Sequence, residues 1–60
     1  MIIKIYDYLV DEETEIDTRD ILRVSKLNDT YSIIENNDGL AYKVSTKLIK
    51  ELEEKQWPNT

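Results

Sequence analysis

From Ile2 to Val10 the chain is dense in β-branched and aromatic residues. Two interleaved sets run through it: Ile3, Ile5 and Leu9, then Tyr6, Tyr8 and Val10. This pattern predicts a strand covered on much of both sides. Asp11 to Arg19 is polar and acidic, with Ile16 as its one apolar residue. It predicts a long loop or an irregular hairpin. Asp20 to Leu27 alternates again and predicts a strand, with Leu22, Val24 and the aliphatic stem of Lys26 on one side. Asn28-Asp29-Thr30 has turn composition. Tyr31 to Glu35 predicts a third strand, with Ile33 or Ile34 inward. Asn36-Asn37-Asp38-Gly39 is the strongest local signal, because Asp-Gly between apolar runs supplies the positive φ angles of a tight hairpin. Leu40 to Val44 then predicts a fourth strand, antiparallel to the third.

After Val44 the period changes. Ser45 or Thr46 suits a helix N-cap. Leu48, Ile49 and Leu52 share one helical face, and Glu51 with Lys55 forms a favourable i,i+4 pair. A helix is predicted over 47–56, stopped by Pro58. A meander this short either curls into a small barrel or packs under the helix.

Length and composition then narrow the possibilities. Sixty residues are one domain, 1–60. A chain of this size buries only about 60% of its unfolded surface, so its margin of stability is thin. There is no Cys and no His, which removes disulfides, thiol nucleophiles, imidazole catalysis and nearly every zinc site. Ser25, Ser32 and Ser45 therefore lack an activating base. One Gly excludes a phosphate-binding glycine-rich loop. The expectation is a non-enzyme with no catalytic residues, no cofactor and no metal. Thirteen acidic against eight basic residues give a net charge of −5, which disfavours non-specific phosphate binding. No stretch approaches the ~18 apolar residues of a membrane span, and Met1-Ile2-Ile3-Lys4-Ile5 is too short and interrupted for a signal peptide. The expectation is a cytoplasmic protein with no membrane contact.

Ile5-Tyr6-Asp7-Tyr8 resembles the Ala-Leu-Tyr-Asp-Tyr motif that opens SH3 domains. Asp11-Glu12-Glu13-Thr14-Glu15-Ile16 resembles their acidic RT loop. Asp20-Ile21-Leu22-Arg23-Val24 is similar to the second strand, Tyr31-Ser32-Ile33-Ile34 to the third, and Asn37-Asp38-Gly39 to the distal hairpin. Val44 to Ile49 stands where the family carries Ile-Pro-Ser-Asn-Tyr-Val. The resemblance covers about the first fifty residues. It implies a mainly β, SH3-like small barrel of four to five antiparallel strands with a short C-terminal helix, of the kind found in bacteria and their phages. The chain departs from the family where Ser45 and Leu48 replace the later Pro and Tyr, and where a helix stands for the last strand.

SH3 domains hold ligands in aromatic grooves. The resemblance thus implies an aromatic platform of Tyr6, Tyr8 and Tyr31, with Tyr31 standing in for the family's Trp. Tyr42 reads as structural. Six carboxylates lie between Asp11 and Asp20. Of these, Glu12, Glu13, Glu15 and Asp17 are the candidate specificity loop for a protein partner with a basic surface. Trp57 reads as a clasp over an incomplete core. Lys43, Lys47 and Lys50 suggest a local basic patch, offset by Glu51, Glu53 and Glu54. The leading expectation is a non-catalytic protein-interaction module. The alternatives are an acidic inhibitor that imitates DNA before a host enzyme, and a nucleic-acid-binding small barrel. Exposed sheet edges also leave a homodimer open.

Overall fold

The computed structural model describes residues 1–55. Strand β1, Ile2–Asp7, turns Ile3, Ile5 and Asp7 inward and leaves Ile2, Lys4 and Tyr6 exposed. It is thus covered on one side, not on both. It pairs antiparallel with β2, Glu12–Asp17, from Ile2 opposite Asp17 to Asp7 opposite Glu12. The acidic stretch is therefore a regular strand and the long loop is not formed. Its inward positions are Thr14 and Ile16, and Ile16 lies buried opposite Ile3. One buried isoleucine suffices because β1 supplies the rest of that apolar side. Leu9 and Val10 fall in the connecting turn and are exposed. Asp11 completes that turn at a φ of 56°, a left-handed geometry that Asp tolerates better than most residues.

A single 3-10 turn, Thr18–Asp20, leads into a three-stranded antiparallel sheet of order β3-β4-β5. These strands are Ile21–Lys26, Tyr31–Asn36 and Ala41–Ser45. The register slips by one residue between Ile21 and Arg23. This bulge turns Ile21 toward the core beside Val24 and leaves Leu22 65% exposed, against the expected inward Leu22. On β4, Ser32, Ile34 and Asn36 point inward, so Ile34 is the core residue and Ile33 lies half-buried on the outer face. The hairpin at Asp38-Gly39 forms, with Gly39 at a φ of 88°, but Asp38 is not in the left-handed region, so one of the expected positive φ angles is absent. Gly39 N–H donates to the Asn36 carbonyl at 3.1 Å.

Helix α1, Thr46–Lys55, follows β5 directly. Ser45 Oγ accepts from Lys47 N–H at 3.1 Å, which makes Ser45 the N-cap. Ile49 and Leu52 are buried, as the helical spacing predicts. The expected stop at Pro58, the Trp57 clasp and the Glu51–Lys55 pair fall outside the described residues and side chains. Ile5, Ile16, Ile34, Val44 and Ile49 form the core, with Tyr42 among the half-buried residues packed on it. Each such burial contributes about 1.5–3 kcal/mol.

The protein is therefore mainly β, with five antiparallel strands and one short C-terminal helix. No closed barrel is found among the described residues: β1 pairs with β2 alone, and β3, β4 and β5 form a separate sheet. The two sheets are instead joined at one corner. Tyr8 N–H donates to the Lys43 carbonyl at 2.8 Å. Asp7 Oδ1 accepts from Leu9 N–H at 2.9 Å and from Lys43 N–H at 3.2 Å. Asp7 is buried, so its removal strands two amide donors. Asp7→Ala is expected to cost about 1–3 kcal/mol in urea unfolding and to speed hydrogen exchange at the Tyr8 amide. Asp7→Asn keeps an acceptor oxygen and is expected to cost less. No helix among the described residues is long and apolar enough to cross a membrane.

Candidate functional site

The alternation of β1 places Tyr6 outward, and Tyr8, just past the strand, is held at the corner by its bond to Lys43. Tyr31 opens β4 on the outer face of the second sheet. The rings of Tyr6 and Tyr8 meet edge to face, with centroids 4.8 Å apart. Tyr8 and Tyr31 do the same at 5.2 Å. Both geometries are favoured by the ring quadrupole. Tyr6 and Tyr8 are each 40% exposed, too open for core residues. The structure thus brings the three expected tyrosines together in one surface cluster.

Two further members, Lys43 and Asp11, were not expected beside the tyrosines. Lys43 Nζ sits 4.4 Å from the centroid of Tyr31. Tyr31 faces Ser45, and Ile33 faces Lys43, so Lys43 is the diagonal neighbour of Tyr31 on the same face. Counting the register back from Asp38-Gly39 is enough to find it. Asp11 accepts from the Tyr6 hydroxyl at 3.4 Å. Partial burial first, and the Asp11 charge second, raise the pKa of that hydroxyl. Tyr6 therefore remains a protonated donor near neutral pH. Asp11 reaches it only because the turn is tight, which sequence periodicity does not reveal.

The four expected loop carboxylates separate. Glu13 lies directly across from Tyr6, and Glu15 across from Lys4, on the outward side. Glu12 lies across from the inward Asp7, on the other side of the hairpin. Asp17 is engaged with Arg19: Nη2 lies 2.8 Å from Oδ2, Nε lies 3.2 Å from both oxygens, and the Arg19 amide donates at 3.0 Å. Of the four, only Glu13 lies directly opposite a tyrosine across the strand pair. Asp17 instead caps the turn that leads from one sheet to the other.

These bonds from Arg19 hold the Asp17 carboxyl well below the usual carboxylate range. A pKa depressed on folding means that the unfolded chain binds the proton more readily. The stabilisation is thus complete above the unfolded value of 3.8 and is lost as pH falls below it. Asp17→Asn is expected to flatten the fall of the urea midpoint below about pH 4. An unchanged acid profile would refute this role.

A concavity of about 190 Å³ lies between β3, β4 and α1. Val24 and Ile49 line it, with Lys26, Lys50 and Glu53 around them. Ser32 and Thr46 also line it, but their hydroxyls bond each other at 2.8 Å, and Thr46 Oγ1 donates to the Asn28 carbonyl at 3.1 Å. Lys50 lines this groove whereas Lys43 covers Tyr31, so the expected lysine patch is divided between two places. Among the described residues, no three carboxylates converge as metal ligands would. No protein-family model, curated protein or solved structure matches the chain.

Proposed function

We propose that the protein is a non-catalytic interaction module with an SH3-like arrangement, which binds a protein partner across Tyr6, Tyr8 and Tyr31. The observation that carries this reading is the contact series Tyr6–Tyr8–Tyr31, three half-open aromatic rings joined edge to face on one surface. Exposed aromatic clusters supply rigid, amphipathic contact area at low entropy cost, and interfaces are enriched in them. The order of elements supports the SH3-like reading: an aromatic first strand, an acidic hairpin, and a three-strand meander turning at Asp38-Gly39. Glu13 beside Tyr6 favours a partner with basic groups at that end.

The DNA-mimic reading needs a continuous row of free carboxylates. Asp17 is bonded to Arg19, Glu15 faces Lys4, Glu35 bonds Arg23 at 2.6 Å, and Glu12 is turned to the other side. This broken row favours the aromatic reading. Direct nucleic-acid binding is disfavoured by the net charge of −5 and by the division of the lysines.

The test is an affinity pulldown of tagged protein from a bacterial lysate at low and at high salt, read by mass spectrometry. A partner retained at high salt and lost with Tyr8→Ala is the expected result. A partner released by salt and indifferent to Tyr8 would replace this reading with the electrostatic one. Recovery of the chain alone would point to self-association.

A further inference from the structure

The tyrosine cluster carries charges of opposite sign at its two ends. At one end Asp11 accepts from the Tyr6 hydroxyl, and Glu13 stands across the strand pair from Tyr6. At the other end the Lys43 ammonium lies 4.4 Å from the Tyr31 ring centre. Asp11 and Glu13 are in no ion pair among the described residues, and neither is Lys43. The four ion pairs found there use Met1, Asp17, Arg19, Arg23, Lys26, Asp29 and Glu35. The side chains beside the rings are thus acidic at the Tyr6 end and basic at the Tyr31 end, in a molecule that is acidic overall.

We infer that the cluster reads a charge-ordered peptide segment: a basic residue held over Asp11 and Glu13, and an acidic residue held by Lys43. This rests on the proposed aromatic site and adds the ligand's polarity to it. The ring centroids step 4.8 Å and then 5.2 Å, so Tyr6 and Tyr31 lie no farther apart than an extended peptide covers in roughly three residues at about 3.3 Å each. The partner segment thus carries Arg or Lys within about three positions of Asp or Glu, with an apolar or aromatic residue between them on Tyr8. Its direction is fixed, because the reversed peptide brings like charges together at both ends. Lys43 is suited to this task because the Tyr31 face holds its ammonium in place while leaving donors free for a carboxylate.

The test is selection of a random heptapeptide display library on the full chain, repeated with Lys43→Gln, Lys43→Glu, Glu13→Lys and Tyr8→Ala, each checked for folding by circular dichroism. Wild type is expected to enrich peptides that pair a basic with an acidic residue within about three positions of each other. Lys43→Gln is expected to lose the acidic preference while keeping the basic one, with about fivefold weaker binding of the selected peptides. Lys43→Glu is expected to select a basic residue at that position instead, and Glu13→Lys to lose the basic preference. Tyr8-dependent peptides without an acidic preference, or one that Lys43→Gln leaves intact, would overturn the charge order and leave the aromatic site standing. If no enriched peptide depends on Tyr8, the aromatic reading fails and the charge order fails with it.

Discussion

Ile34→Ala is expected to leave the protein largely unfolded at 25 °C. Ile34 has no exposed surface and sits in the five-residue apolar cluster with Ile5, Ile16, Val44 and Ile49. Truncating a buried isoleucine to alanine costs about 2–5 kcal/mol, from lost transfer energy and the cavity left behind. A core in a chain this short rarely supplies more than about 3–5 kcal/mol in all. One substitution thus removes most of the margin. Ile34→Val, at about 0.5–1.5 kcal/mol, should leave a folded protein with a lower urea midpoint, so the series can be measured. Ile33→Ala is the internal control: Ile33 lies half-buried on the outer face and should cost less. If Ile33→Ala proved the more damaging, the assigned faces of β4 would be reversed.

Tyr8→Ala is expected to abolish partner binding while the fold survives. Tyr8 is the middle ring and the only one in edge-to-face contact with both others. Each such contact contributes about 0.5–1.5 kcal/mol, and the side chain is already 40% exposed. The loss lowers the urea midpoint without exhausting the margin, because the corner itself is tied by backbone groups and Asp7. Binding loses more. A central aromatic anchor in an interface typically costs 2 kcal/mol or more on truncation, about thirtyfold in affinity. Tyr8→Phe keeps the ring and should retain most of the binding. If Tyr8→Ala unfolded the protein, the cluster would be a structural clasp and the platform reading would fall.

Much of this was legible in the sequence because local signals agreed. Asp38-Gly39 demanded a hairpin, Ser45 capped a helix, and the spacing of Ile49 and Leu52 gave its buried side. The strand β2 was less legible, since one apolar residue among carboxylates gives almost no alternation and its pairing with β1 decides its structure. Leu22 misled because a one-residue bulge reverses the side that simple alternation assigns. Asp7 shows the limit in another way. A carboxylate in an aromatic strand reads as a surface residue, yet here it is buried to satisfy one amide of the β1–β2 turn and one of β5. At the site, the tyrosines stood out by type, whereas Lys43 emerges only through cross-strand register and Asp11 only through the conformation of a turn.

The most direct test of the aromatic site is chemical-shift mapping of isotope-labelled protein titrated with the partner that the pulldown retains. Perturbations centred on Tyr6, Tyr8, Glu13, Tyr31 and Lys43 are predicted, with the groove formed by Val24, Ile49 and Lys50 undisturbed. Perturbations centred on that groove, or confined to the β2 carboxylates with Tyr8 and Tyr31 unmoved, would contradict the account.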